Sequence, residues 1–472
     1  MNSLVLRQLL LPALCLGTTT LASAGTIVSG HINNPAGKAV AVLLGSNPVT
    51  RQSASRVIGQ LDAKGDFRLE LPALTAPTEV TFAHGQEITT LFLTPGDNLR
   101  LTLDANQFDQ SLRFTGTGAD ANTFLSQSYL KFEADPAASP FAQADKQTLP
   151  QTLAAIDARR SKRLAYLKTF AASHKLTPAF RAYARQSILF TWATNRLSLP
   201  SVVQEATGKP AVLPAGYDGF LTTMRPMQDS ALAMHNSAYT SFMQAYAGER
   251  LAPGGQLPGP EAFVKTAEQQ FGPSASRDLV MGMFMVNYLY DHEAPTLEPL
   301  LPAFTQAARD TALVGEVRRQ FNRRMLVATG KEAPAVTVRD AAGKPVSLAD
   351  YKGKVVYLDF WASWCGPCMA EVPASVALKK KFEGQDVVFL YVSIDDDEAK
   401  WKQALAKHPL TSANSVHGWT KGFDAPTPAG YQVNAIPAYF VVGRDGRLAA
   451  SPAPRPSEGE AAEAALHKAL GK

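Results

Sequence analysis

Cysteine is almost absent from this chain: its 472 residues hold three, Cys15, Cys365 and Cys368. Exported domains that rely on disulfides carry several cysteines in pairs, so this number excludes a stapled framework. Charge of one sign is missing as well. The 46 Lys and Arg against 41 Asp and Glu leave a formal charge of +5. The basic residues lie in short runs, Arg318-Arg319, Arg323-Arg324 and Lys379-Lys380-Lys381, which read as solvated helix faces. No nucleic-acid motif accompanies them, so nucleic acid is not an expected partner. Long apolar runs are lacking too. Beyond the N-terminus no stretch reaches the ~20 apolar residues of a membrane span, and residues 279–289 read as a buried helix. Apolar residues themselves make up 46%, which excludes global disorder, and the length suits about two to four domains.

Residues 1–24 read as a secretory signal. Arg7 supplies the positive charge, residues 9–16 a short apolar core, and Ala22-Ser23-Ala24 the small-residue cleavage pattern. Cys15 lies inside the apolar core behind Leu14, which does not suit a lipidation site. Cleavage after Ala24 leaves Cys365 and Cys368 as the whole thiol inventory of an exported protein, expected in the periplasm or cell envelope.

Three regions follow. Residues 25–118 read as an antiparallel β-sandwich or barrel. Phe67, Leu69 and Leu71 alternate with Arg68 and Glu70, and Leu99, Leu101 and Leu103 with Arg100 and Thr102. Val80 and Phe82 do the same, and Asn33-Asn34-Pro35, Lys64-Gly65-Asp66 and Pro95-Gly96-Asp97 mark turns. Residues 119–330 read as helices, with Leu153, Ile156, Arg160, Leu164 and Leu167 near helical spacing, as are Phe304, Ala307 and Ala308. Pro and Gly over residues 251–260 punctuate them. Met281, Met283 and Met285 suit a helix core better than a copper site. Residues 331–334 read as a linker. In residues 331–472 strand and helix alternate: 336–338, 355–360, 387–394, 438–442 and 447–450 as strands, and 368–382, 398–407 and 458–470 as helices. Arg444-Asp445-Gly446 signals a hairpin.

Cys365-Gly366-Pro367-Cys368 stands where the 355–360 strand gives way to a helix. Two thiols at this spacing can close a disulfide. The one nearer the helix start meets unpaired backbone N–H groups and the positive end of the helix dipole, which favour a thiolate. Pro367 fits the first turn, where no internal N–H bond is lost. Zinc is the main competitor for such a pair, but it requires two further ligands, and the eight His residues show no second pair at ligand spacing. Asp359, six residues upstream on an apolar strand, is costly there unless paired or protonated, and burial should raise its pKa.

Residues 356–368, with Glu371, Pro373, Ile436-Pro437 and Asp445-Gly446, resemble the thioredoxin superfamily, and within it the exported TlpA/ResA-like branch, over about residues 331–472. The resemblance implies a thioredoxin-like α/β fold and a thiol–disulfide oxidoreductase without a cofactor. It makes Cys365 the exposed nucleophile and Cys368 the buried resolving thiol, with Asp359 accepting the resolving thiol's proton. Pro437 becomes a cis-proline, beside which the Ile436 backbone pairs with substrate. Trp364, Gly366 and Pro367 border the substrate, and Glu371 is a tuning residue or a solvated helix charge. Pro373 kinks the helix. The branch also carries an extra helical segment, here within residues 395–431, which contains Trp401, His417 and Trp419. A His there could affect thiol ionisation, though packing suits His417 better. The two front regions resemble, in order and pattern, the accessory part of multidomain TlpA-like proteins, with substrate access, homodimerisation or ligand binding as its roles.

The thioredoxin-type CGPC sequence implies a reductant, as thioredoxin's potential is about −270 mV. Its expected partners are disulfide-containing exported proteins, apocytochrome c among them, and a membrane thiol donor of the DsbD type. That places the chain in cell redox homeostasis or cytochrome c biogenesis. Two alternatives stand beside it: a peroxide-reducing redoxin, for which the residues before Cys365 lack the usual Pro-x-x-x-Thr/Ser context, and a ligand-binding envelope protein with an accessory redox domain.

Overall fold

The computed structural model describes residues 25–472 apart from 47, 48, 50–52, 229–235, 252–258 and 409. The secretory signal read in residues 1–24, Cys15 included, lies outside the described residues, as does most of the Pro/Gly stretch at 251–260.

The front region holds eight strands: β1 (Ile27–Asn33), β2 (Ala39–Ser46), β3 (Ser53–Gln60), β4 (Asp66–Glu70), β5 (Thr78–His84), β6 (Glu87–Leu93), β7 (Asn98–Asp104) and β8 (Arg113–Gly116). They form two four-stranded sheets, ordered β4-β1-β7-β8 and β3-β2-β5-β6. The alternating apolar residues point into one shared core containing Val28, Val42, Phe82 and Leu101, as period-2 patterning demands. One pairing departs from the antiparallel expectation. β1 runs parallel to β7, with Gly30 opposite Leu101. Gly30 is required there, because a Cβ would lie 2.2 Å from the Leu101 carbonyl oxygen.

The middle region is helical. Its longest helices are Leu149–Ser173 and Pro178–Thr207, and its most deeply buried is Ala275–Asp291. Met281, Met283 and Met285 lie in the core that this last helix crosses. Its C-terminal end and the helix Thr311–Leu326 both reach the final domain. Arg323 Nε donates to Gln432 Oε1 at 2.5 Å, and Arg455 pairs with Asp291 at 3.3 Å. The Arg323-Arg324 run is therefore not the solvated face expected from sequence. Both side chains are half-buried against the neighbouring domain.

The final domain is built on β9 (Thr337–Arg339), β10 (Pro345–Ser347), β11 (Val355–Trp361), β12 (Val387–Ser393), β13 (Ser415–Trp419), β14 (Ala438–Val442) and β15 (Leu448–Ala450). They form one sheet ordered β10-β9-β13-β12-β11-β14-β15. β11 lies between parallel β12 and antiparallel β14. Both β11 and β12 are buried along their whole length, the pattern of strands covered on both faces. The helices Gly366–Lys381, Glu398–Lys407 and Glu460–Leu470 supply cover. The multidomain fold class, a β domain, then helices, then a thioredoxin-like α/β domain, is borne out.

Residues 331–334 are not a free linker. Leu448 N donates to Lys331 O at 2.8 Å and Ala333 N to Gly446 O at 3.0 Å. The edge of the last hairpin therefore takes up this segment. The 395–431 insertion is also not purely helical, because it contributes β13, which pairs with β12.

Candidate active site

The site grows out of the end of β11. After Trp361 the chain turns through Ala362, Ser363 and Trp364, and Cys365 caps the helix Gly366–Lys381. The Cys365 sulfur accepts the Cys368 backbone N–H at 3.2 Å, and Pro367 occupies the first turn. This is the position at which a helix offers unsatisfied N–H groups. Cys365 and Cys368 are joined as a disulfide, with Cα atoms 5.2 Å apart.

Buried Asp395 braces the turn. It accepts from Ser363 N at 3.0 Å, Ser363 Oγ at 2.6 Å and Ser393 Oγ at 2.7 Å. Trp419 Nε1 donates to the Asp395 carbonyl at 2.8 Å. Trp364 projects beside the disulfide with 59% of its surface exposed. Gly366 and Pro367 are exposed too, and a Cβ at 366 would meet nothing within 4 Å. That side is open to a partner.

One of the cysteines departs from expectation. Cys368 is buried, as the resemblance implies, but Cys365, expected to be exposed, is equally covered, each being 5% exposed. In the disulfide each sulfur covers the other, and the Ile436 carbonyl oxygen sits 3.8 Å from Cys365 Sγ. Their surroundings still differ. Cys365 faces the Ile436-Pro437 segment, whose peptide bond is cis. Cys368 faces inward, where it shares a cavity of about 10 Å³ with Asp359, Glu371, Ser375 and Tyr391. That is room for about one water.

Asp359 is buried on β11, and its Oδ1 has no hydrogen-bond partner among the described residues. Burial pushes its pKa up to about 8, Glu371 adds to the rise, and Lys379 opposes it. Glu371 is anchored, accepting from Ser457 N at 2.9 Å and Ser457 Oγ at 2.7 Å.

Lys379 was missed in the sequence, where it sits in a run read as solvated. It is 2% exposed, while Lys380 and Lys381 are far less covered. Its Nζ donates to the Leu410 carbonyl and lies 5.3 Å from the centre of the Tyr391 ring. Burial pushes its pKa down to about 8, against the pull of Asp359. Helical spacing could have found it, because Cys368, Val372, Ser375 and Lys379 share one inward face. His417 stacks on Tyr391 with ring centres 4.9 Å apart. Burial, with Lys379 adding, pushes its pKa down to about 4, so it is neutral near pH 7. Trp401 is a fully buried packing residue.

A cleft of about 570 Å³ opens on the Ile436-Pro437 side. One wall is formed by the 432–440 and 452–458 segments of the final domain, the other by Tyr290, Asp291, His292 and Arg324 of the helical region. Nothing in the local sequence pattern pointed to this second wall.

Comparison with known proteins agrees with the geometry. The redoxin family model matches residues 328–467. A thiol-disulfide oxidoreductase ResA of Bacillus cereus is 30% identical over 128 residues, covering 27% of this chain and 71% of the relative. Its counterpart in a second Bacillus cereus strain is 33% identical over 119 residues, which is 25% of this chain. The chain spans 66% of that relative's length. Among solved structures, the thioredoxin domain of a thiol-disulfide oxidoreductase from Bacteroides vulgatus is 30% identical. The match covers 30% of this chain and 96% of that one, with a TM-score of 0.27.

Proposed function

Because the chain belongs to the TlpA/ResA-like branch of the thioredoxin superfamily, we propose that it is an exported thiol–disulfide oxidoreductase that reduces disulfides of envelope proteins. The observation that carries this reading is the Cys365–Cys368 disulfide at a helix N-terminus, with Asp359 sharing the cavity behind Cys368.

In the reduced state the Cys368 N–H and the helix terminus stabilise a Cys365 thiolate. The thiolate attacks one sulfur of a substrate disulfide, and the other leaves as a thiolate that takes up a proton. Cys368 then gives its proton to Asp359 in the fraction of molecules where that carboxyl is ionised, directly or through one water, and its sulfur attacks Cys365. The bond between Cys365 and the substrate breaks, the substrate's second sulfur leaves as a thiolate that takes up a proton, and Asp359 returns its own proton to solvent. The substrate gains two electrons and two protons, and the Cys365–Cys368 bond re-forms. An acid with a pKa near 8 suits this transfer, since it matches an ordinary thiol. Pro437 and Ile436 border the nucleophile, and Trp364 with Gly366 and Pro367 offers the open contact surface. A membrane thiol donor of the DsbD type would return the enzyme to its dithiol form, and apocytochrome c is one substrate that fits this role.

The test is trapping. A Cys368→Ser variant expressed in a bacterial envelope should accumulate mixed disulfides through Cys365, identifiable by mass spectrometry. The wild-type protein should also reduce insulin with dithiothreitol as donor. Absence of both trapped species and insulin reduction would overturn the reading.

A further inference from the structure

The cleft beside Ile436 is walled by two domains, and its charges are unevenly satisfied. Asp291 is paired with Arg455 at 3.3 Å, and Glu458 Oε1 accepts the Arg455 backbone N–H at 2.9 Å. Arg323, next along the helix, donates to Gln432. Arg324 also lines the cleft and is half-buried, yet among the described residues its side chain makes no hydrogen bond or ion pair. Burial pulls the Arg324 pKa below the usual guanidinium value, with Tyr290 and Asp291 opposing the fall. The Asp291 contact itself goes to Arg455.

A half-buried guanidinium with no partner among the described residues is matched best by a carboxylate, which it can bind through two parallel hydrogen bonds. The cleft volume lies within the range of ligand sites. Its position is tied to the chemistry, because Ile436 both lines it and places its carbonyl oxygen 3.8 Å from Cys365 Sγ. A chain bonded to Cys365 and running past Ile436 in extended form advances about 3.3 Å per residue. Side chains a few residues from the attacked cysteine therefore fall within the cleft.

Resting on the oxidoreductase reading above, we propose that Arg324 is a specificity residue, receiving a carboxylate carried by a polypeptide substrate close to the disulfide being reduced. The helical region is thereby part of the substrate site, and the enzyme prefers cystine segments flanked by Asp or Glu.

The test uses the full chain and a matched series of disulfide peptides that differ only in one residue near the cysteine: Glu, Gln or Lys. Wild type should rank them Glu over Gln over Lys in kcat/KM, with Glu favoured over Gln by about tenfold, the effect of about 1.4 kcal/mol. In Arg324→Gln the Glu-to-Gln ratio should fall to near one, and in Arg324→Glu the order should reverse in favour of Lys. Equal wild-type rates for the three peptides, a result that needs no variant, would overturn the proposal, as would an unchanged ratio in a folded Arg324→Gln protein. Glutathione disulfide, a small source of the same carboxylate, is run alongside. An Arg324→Gln effect confined to it would overturn the polypeptide assignment. Failure to reduce any peptide or insulin would sink the oxidoreductase reading itself, whereas equal turnover of all peptides sinks only the role of Arg324.

Discussion

Glu371 holds Ser457 by two hydrogen bonds, 2.9 Å from its backbone N and 2.7 Å from its Oγ. The bond ties the helix that begins at the disulfide to the segment walling the cleft. It also fixes a negative charge on the far side of the Asp359 cavity. Glu371→Gln keeps a carbonyl acceptor for Ser457 but removes that charge. Since Glu371 raises the Asp359 pKa, and Lys379 lowers it, the two neighbours should act in opposite directions. Carbon-13 NMR of the Asp359 carboxyl should show its titration moving down in Glu371→Gln and up in Lys379→Met. Movement in the same direction would show that the carboxyl does not sense these charges.

Asp359 should also mark the pH dependence of stability. Folded, it keeps its proton to about pH 8, and in an unfolded chain only to about 3.9. Between those values the folded state binds more protons than the unfolded one. Its contribution to stability is therefore complete below pH 4 and is lost as the pH rises to 8. Asp359→Asn should be more stable than wild type at pH 8, by on the order of a few kcal/mol. The gap should close toward pH 4. Urea titrations of both oxidised proteins at several pH values measure it, and a gap independent of pH would refute the assignment.

Asp395 should prove costly to remove. It meets three donors from Ser363 and Ser393 in a buried site. Asp395→Ala strands them, at roughly 1–3 kcal/mol for each that stays buried and unpaired. Urea unfolding should shift accordingly. Alkylation of reduced Cys365 should also change in rate, since Ser363, which Asp395 holds, lies two residues before it. A stability loss under about 0.5 kcal/mol, the range of an ordinary surface change, would show that the brace is idle.

Trp364 should behave in the reverse manner. With 59% of its surface in solvent, Trp364→Ala should alter stability by no more than about 0.5 kcal/mol. Its KM for protein disulfides should nevertheless rise severalfold, because on the proposed reading an exposed aromatic at this end of β11 would be a contact for substrate. Steady-state insulin reduction and thermal melts separate the two effects.

What the sequence made legible was local. The apolar run of β11, the Cys-x-x-Cys pair behind it and Ile436-Pro437 each declare themselves within a few residues, and the structure brings them together around the disulfide. The alternation of Leu99, Leu101 and Leu103 likewise reveals a strand face. The parallel partner of that strand, β1, lies about 70 residues away, and no local period encodes such a pairing. β13 escaped notice because Ser415 to Trp419 does not alternate cleanly, with Gly418 alone fully covered. Lys379 was hidden by its two solvated neighbours, although its register placed it beneath Cys368. Arg324 was hidden for another reason: what it faces belongs to a different domain.

The Cys365–Cys368 bond is nearly sealed, with Ile436 against one sulfur and the wall carrying Arg324 rising beyond it. On the proposed reading, a cystine set deep in a rigid globular partner would reach that recess less readily than one on a slack or protruding strand, so the fold would sieve its clientele by pliancy before any bond is exchanged.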